Sequence, residues 1–429
     1  MQLTNDKNIA SALAVASCAL IAQPAQAETN YEDWKVDAAL MYYGEQDRVQ
    51  AIEAIGNVEK NFGDRSTLSM KIVVDSLTGA SASGAVAQNQ GQTFTRPSGK
   101  GEYQIKAGDT PLDDTFHDTR VQLSANWSEV LNPLWTVNGG VYGSKEFDYM
   151  SLGLNGGVER SFNKDNTTLA LSAGYSYDTV DPVGGRPMGL SAMALRDRYN
   201  TEAEFQTAFD NTRLDGSDTK ATTDLVLSVT QILNRRWLFQ ANYSLSSVSG
   251  YLTDPYKMLS QVDTSGTSVN YLYENRPDSR LKQSVFTMVK GALDKGVVDF
   301  SYRFSRDDWG VQSHTLETHY RHYFTGNIYG QLHLRYYQQQ AADFYTPFLV
   351  EGAALPQYAS ADYRIGDMSA YTIGIKLGQR LQSGHELSYR LEFYQQNPEN
   401  NGTSLFGQLN QQELFPDLKA IVAQFSYSF

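Results

Sequence analysis

Tyr371 to Phe393 reads YTIGIKLGQRLQSGHELSYRLEF, two alternating runs about a turn-like stretch at Arg380 to Gly384. Successive side chains of a strand point to opposite faces, and facing residues of an antiparallel pair share a face. Folded about Gln382, the stretch sets Leu377 against Leu387, Ile375 against Tyr389, Ile373 against Leu391 and Tyr371 against Phe393. The other face pairs Lys376 with Ser388, Gly374 with Arg390 and Thr372 with Glu392. One face is apolar and aromatic, the other polar. A fold about Asp64 gives the same division, with Val58 on Met70 and Gly56 on Ile72 outside, and Asn57 on Lys71 and Glu53 on Asp75 inside. A fold about Lys295 sets Phe286 on Phe304 and Met288 on Tyr302 outside, and Thr287 on Arg303 inside. An apolar exterior around a polar interior is the arrangement of a barrel in lipid.

Outward from this hairpin, period-two alternation recurs near 34–44, 48–62, 66–76, 118–131, 135–147, 148–162, 167–178, 221–232, 237–248, 280–293, 297–306, 312–324, 328–340, 367–379, 385–395 and 417–429. These are sixteen segments of the length a tilted membrane strand needs. Every second connection is short and rich in Gly, Asn or Asp: Gly63 to Arg65, Asn132 to Leu134, Asn163 to Asn166, Leu233 to Arg236, Asp294 to Gly296, Thr325 to Asn327 and Arg380 to Gly384. The connections between them include long ones near 77–117, 178–220, 249–279, 341–366 and 396–416. The expected fold is an all-β transmembrane antiparallel barrel of about sixteen strands, with short periplasmic turns and long extracellular loops. Tyr42, Tyr149, Tyr175, Tyr243, Phe286, Tyr302, Tyr320, Tyr336, Tyr389 and Phe393 are expected on its outer face.

The bulk composition points elsewhere. With 429 residues, 41% of them hydrophobic, and a mean hydropathy of -0.44, the chain resembles a soluble protein of two or three domains. No apolar run beyond the N-terminus is long enough for a spanning helix, and the single cysteine excludes a disulfide scaffold. A net charge of -13 argues against a nucleic-acid partner.

Residues 9–22 form an apolar stretch behind Lys7, followed by Ala25-Gln26-Ala27, so residues 1–27 read as a signal peptide and 28–429 as a single outer-membrane barrel domain starting at Glu28. The rival is lipidation at Cys18, behind Val15-Ala16-Ser17. At the other end Phe425, Tyr427 and Phe429 alternate with serines, resembling the C-terminal signal read by the barrel-assembly machinery. The expected location is the Gram-negative outer membrane, in contact with its lipid.

The expected lumen residues are Glu53, Lys71, Glu317, His319, Arg321, His333, Arg335, Arg390 and Glu392. On the hairpin at Gly326, Glu317 faces Arg335, His319 faces His333, Arg321 faces Gln331 and Tyr323 faces Tyr329. Two imidazoles so placed could share a metal ion or respond to protons. Without a neighbouring carboxylate they make an incomplete site, and a hydrated polar lumen accounts for them, so no metal and no cofactor are expected. Arg306-Asp307-Asp308-Trp309 with His314 could supply an acid and a base, but acids in a tight turn are ordinary turn formers. No nucleophile elbow, paired cysteines or His-Glu-x-x-His occurs, and the chain is not expected to be an enzyme or to hold catalytic residues. Loop 77–117, rich in Gly, Ser, Thr and Gln, reads as mobile, and Leu195 to Leu214 reads as an amphipathic helix on the rim or in the mouth.

Seven stretches carry a family resemblance: Asp75 to Ser81 (DSLTGAS), Ser144 to Asn155 (SKEFDYMSLGLN), Asp181 to Gly185 (DPVGG), Gly250 to Lys257 (GYLTDPYK), Tyr273 to Arg280 (YENRPDSR), Ala342 to Phe348 (ADFYTPF) and Tyr358 to Asp367 (YASADYRIGD). From about residue 36 onward the chain resembles the proteobacterial envelope proteins labelled domain of unknown function 3570. That resemblance implies no assigned activity and no catalytic residues. It implies genes beside those for a flavin transferase, a small lipoprotein and a thioredoxin-like protein, and so a role in envelope redox or cofactor traffic with periplasmic lipoprotein or redox partners. In the barrel these motifs fall at outer strand ends and in long loops, as fixed turns or as a vestibule. The leading expectation is a channel or exporter for small polar solutes. The alternatives are a non-conducting anchor or scaffold for redox and flavin-related partners and, behind it, a barrel hydrolase.

Overall fold

The computed structural model describes residues 34–400 and 402–429. The expected signal peptide, the cleavage point before Glu28 and the alternative acylation at Cys18 lie outside the described residues. Sixteen antiparallel strands close into a barrel. They are β1 (Trp34–Glu45), β2 (Gln50–Phe62), β3 (Ser66–Ala82), β4 (Leu112–Asn132), β5 (Trp135–Lys145), β6 (Tyr149–Phe162), β7 (Thr167–Val180), β8 (Asp218–Ile232), β9 (Trp237–Gly250), β10 (Ser279–Leu293), β11 (Gly296–Asp307), β12 (Gln312–Tyr323), β13 (Ile328–Gln340), β14 (Met368–Arg380), β15 (Glu386–Pro398) and β16 (Leu418–Ser428). Each alternating segment of the sequence is a strand. The barrel closes where β1 pairs with β16, Leu40 opposite Phe425 and Ala38 opposite Tyr427, so no barrel strand is left with an open edge.

Burial is inverted relative to a soluble protein. Val141, Leu154, Tyr389 and Ile373 are 60, 59, 58 and 57% exposed on the outer face, while inward Ser284, Ser301 and Ser388 are buried. A belt of exposed aliphatic and aromatic side chains around a closed barrel needs lipid against it, because a closed barrel satisfies its own backbone groups there. Among the described residues no helix is long and apolar enough to cross a membrane, and the strands do the crossing.

The register corrects two hairpins. Between β10 and β11 the turn is Asp294-Lys295, with Leu293 opposite Gly296, so Val285 faces Phe304, Phe286 faces Arg303 and Thr287 faces Tyr302. A two-residue turn shifts the pairing by one against a three-residue turn and reverses the face of one strand. Phe286 and Met288 therefore point inward, and the Arg303 guanidinium lies 5.4 Å from the centre of the Phe286 ring. Between β14 and β15 the shift is two, with Leu377 opposite Tyr389 and Gly374 opposite Glu392, which preserves the faces and changes the partners. Tyr149 is also inward: it is buried, and its hydroxyl donates to Asp178 at 2.5 Å.

At one end all connections are short turns. At the other, five long loops (83–111, 181–217, 251–278, 341–367 and 399–417) pack together into a cap. Strand Met258–Val262 pairs antiparallel with Ser268–Tyr273 and parallel with Phe348–Val350, so two loops share one small sheet. Ala85, Phe94 and Tyr103 pack with Met193, Met258, Tyr271 and Tyr273 in one apolar cluster, and Val86, Val262, Phe348 and Leu409 form another. Residues from all five loops enter these two clusters. The loop expected to be mobile is thus built into the cap: it carries a hairpin, Gln92–Thr95 with Glu102–Ile105, and buries Ala85, Val86, Ala87 and Phe94. Its polar composition concealed the few apolar side chains that anchor it.

The expected helix is shorter than its pattern. Helix α1 (Glu202–Asp210) begins at a capping box in which the Thr201 side chain accepts from the Glu204 amide and the Glu204 carboxylate accepts from the Thr201 amide. It buries Phe205 and Phe209 against Ala194 and so belongs to the cap.

Candidate functional site: the lumen and its cap

Strand parity turns the expected lumen residues inward, and the structure sorts them into groups. Glu53 lies opposite Asp75 across β2 and β3, and Asp75 opposite Arg120 of β4. Arg120 contacts Asp75 at 2.6 Å and Glu53 at 3.8 Å. Lys71 lies between Asn57 and Ser124 on the same face, exposed. Arg321 donates to Gln331 at 3.0 Å and covers the Tyr329 ring at 4.4 Å. Arg390 donates to Gln424 and sits 3.7 Å from Glu392. Glu317 faces Arg335, as the alternation indicates, and its carboxylate lies 2.9 Å from His333 and 3.9 Å from His319.

His319 and His333 face each other across β12 and β13, their rings 4.4 Å apart and inclined by only 14°. The missing carboxylates are present. Glu317 lies 2.9 Å from His333 Nε2, Glu392 3.0 Å from His333 Nδ1 and Asp299 2.9 Å from His319 Nδ1. Asp299, which is not among the expected lumen residues, shares inward parity with Arg303 on β11 and lies opposite His319. A fold about Gln382 sets Glu392 opposite Thr372, beside Arg335, whereas the observed register sets it opposite Gly374, beside His333.

The acid and base weighed at Arg306 to Trp309 separate in space. Asp307 turns in and binds Arg280 at 2.5 Å, while His314 turns out and meets the Tyr302 hydroxyl at 2.7 Å. Trp309 is buried in the cap beside Val311, Ala342 and Ile365.

Above the lumen lies a second polar centre that the sequence did not assemble. Arg276 contacts Glu274 at 2.6 Å and Asp362 at 2.7 Å, and Arg364 bridges Asp362 and Asp254 at 2.5 Å each. Ser360 donates to Glu274, and the Lys257 ammonium donates to Ser81 and the Ala82 carbonyl. Lys257, Glu274, Arg276, Ser360 and Asp362 are all buried. Burial alone would raise the Asp362 carboxyl, but Arg364, Arg276 and Lys257 outweigh it and hold it well below the usual carboxylate range. Asp254 is held low in the same way, chiefly by Arg364. For Glu274 burial wins over Arg276 and the group is pushed up.

These residues come from three of the seven motifs, GYLTDPYK, YENRPDSR and YASADYRIGD, and the other motifs reach toward them. Tyr256 donates to Asp148 of SKEFDYMSLGLN and accepts from the Val183 amide of DPVGG at 3.4 Å. Gly184 of that turn has φ 78°, and a Cβ there would meet the Pro97 carbonyl oxygen at 2.0 Å, so glycine lets two loops touch. Ser81 closes DSLTGAS, and Tyr345 of ADFYTPF packs against Gly366.

The protein-family model described as "Protein of unknown function (DUF3570)" matches residues 10–429. The chain belongs to this family. The DUF3570 resemblance read in the motifs thus covers nearly the whole protein. No curated protein matches it in sequence. Among solved structures the chain is similar to a bacterial polysaccharide outer membrane secretin, at 8% identity over 93% of this chain and 100% of that one, with a TM-score of 0.47. It is also similar to the outer membrane protein opdK from Pseudomonas aeruginosa, at 10% identity over 93 and 100% with a TM-score of 0.39. The TodX monoaromatic hydrocarbon channel aligns at 9% identity over 92 and 88%, with a TM-score of 0.41. Likenesses at this level transfer no residue role and no substrate to this DUF3570 chain.

Between the cap and the mid-lumen lies a cavity of about 390 Å³. Arg276, Asp362 and Arg364 line it from the cap, and Arg335, Thr372 and Glu392 from the barrel wall. The buried ion network and Glu392 of the histidine cluster thus bound the same space.

Proposed function

We propose that the protein is a Gram-negative outer-membrane channel for small polar solutes whose outer mouth is closed by the loop cap. The observation that carries this reading is the cavity beneath the cap, walled by charged side chains of both cap and barrel. A polar, charge-lined interior selects by size and charge, and Glu53, Lys71, Arg321, Arg335 and Arg390 supply that lining. In this reading the short turns and both chain ends face the periplasm, and the assembly machinery recognises the C-terminal strand with Phe425, Tyr427 and Phe429.

The test is conductance of the purified protein in planar bilayers. Discrete unitary steps of low open probability in wild type, with openings more frequent in R364A, support a capped channel. Silence in both sinks it. The packed cap, with apolar clusters that draw on every long loop, favours a second reading in that case: a closed anchor that presents the cap or periplasmic rim to redox or flavin-related partners. Co-purification from native membranes then identifies the partner.

A further inference from the structure

Asp299 of β11, Glu317 and His319 of β12, His333 of β13 and Glu392 of β15 meet in the barrel wall. Glu392 reaches His333 across β14 because the intervening residue is Gly374, where a Cβ would meet the Glu392 Cγ at 2.6 Å. The two rings are stacked and each has its Nδ1 on its own carboxylate, Asp299 for His319 and Glu392 for His333. A ring that donates from Nδ1 to a carboxylate is left with a lone pair at Nε2. Both Nε2 atoms turn to the same Glu317 carboxylate, at 2.9 Å for His333 and 3.9 Å for His319.

Two lone pairs and a carboxylate directed at one another repel unless a cation lies among them. Protonating both rings would set two imidazolium ions face to face, and protonating His333 alone satisfies Glu317 at 2.9 Å but leaves the His319 Nε2 lone pair 3.9 Å from the same carboxylate. A single divalent ion removes both conflicts. Carboxylate on Nδ1 with metal on Nε2 is also how ligating histidines are ordinarily held, the outer carboxylate fixing the tautomer and raising the basicity of the ligating nitrogen.

We propose that His319 Nε2, His333 Nε2 and the Glu317 carboxylate bind one divalent transition-metal ion, with Asp299 and Glu392 as the groups that orient the rings. The three ligand atoms lie within 4.8 Å of one another, so modest side-chain rotation closes them on an ion. Two imidazoles and one carboxylate suit zinc, cobalt or ferrous iron rather than calcium or magnesium. The His319 and Glu317 side chains are 29 and 32% exposed on the lumen face, which puts the ion within reach of lumen water. The site does not depend on whether the barrel conducts.

The experiment uses the full mature barrel in detergent, stripped by a chelator and titrated with Co²⁺ by visible absorption and with Zn²⁺ by calorimetry. The expected result is one equivalent of Co²⁺ with nitrogen-ligated d–d bands, displaced by Zn²⁺. Binding is lost in the H319Q/H333Q double variant, and affinity falls about 10- to 100-fold in Asp299→Asn and in Glu392→Gln. Heat-dependent electrophoretic mobility verifies that each variant is a folded barrel. Wild-type protein without nitrogen-ligated cobalt bands overturns the proposal by itself, even if the double variant fails to assemble. Undiminished binding in a folded double variant also overturns it, as does a histidine pair that takes up protons but no Zn²⁺.

Discussion

At the residue scale the buried ions of the cap are the most consequential groups. Removing one partner of a buried ion network strands the others, at a cost of about 3–5 kcal/mol, whereas replacing the set by apolar groups is far milder. R276A leaves Glu274 and Asp362 without their shared guanidinium. It is expected to open the cap by about that amount while the barrel stays intact, read by hydroxyl-radical footprinting of the buried Met258 and Tyr271. The same readout tests acidity. Asp254 and Asp362 have folded values below their unfolded ones, so their contribution is complete above about pH 4 and is lost as pH falls through the folded values. Glu274, raised by burial, acts in the opposite sense: its contribution is present below about pH 4 and lost as pH rises. With two aspartates against one glutamate, footprinting of the cap is expected to increase between pH 5 and pH 2. An unchanged pattern over that range would refute the network's role in holding the cap. The sequence displayed these charges inside recognisable motifs, but only the fold brings residues 254, 274 and 362 into contact.

At the element scale the strands were legible and one face was not. Alternation locates a strand whatever it pairs with, because lipid and lumen impose opposite polarities on neighbouring residues. On β10 the run Val285 to Val289 carries Phe286 and Met288 on one parity and Val285 and Val289 on the other, so turn length decides its face, and the two-residue turn at Asp294-Lys295 sends Phe286 inward. In reconstituted protein, F286C is expected to react with a water-soluble maleimide and V285C to be protected by lipid. The reverse labelling would restore the three-residue turn. Gly374 makes the same point on β14: a strand glycine is silent in sequence, and here it is the gap through which Glu392 reaches His333.

At the scale of the whole molecule different contacts hold the barrel and its cap. The barrel is held by a closed hydrogen-bonded ladder from β1 round to β16, and the cap by small apolar clusters and buried ions. Leu409 is fully buried among Val86, Val262 and Phe348. L409A is expected to cost about 2–5 kcal/mol in the cap, seen as faster proteolysis of the long loops with unchanged heat-modifiable mobility. A loss of that mobility shift would mean that cap and barrel form one cooperative unit. If the barrel conducts, the same variant should open more often than wild type.

The sequence alone determined the number of strands, their ends at the short turns, the inside-out polarity of all but a few positions and the family, because each depends on local alternation, on turn residues or on contiguous motifs. The tertiary structure decided the packing of the loops, the ion network that unites the motifs and the carboxylates that complete the histidine pair. Those contacts join residues far apart in the chain and depend on register, and a register step of one or two residues changes every partner while leaving the alternation nearly untouched.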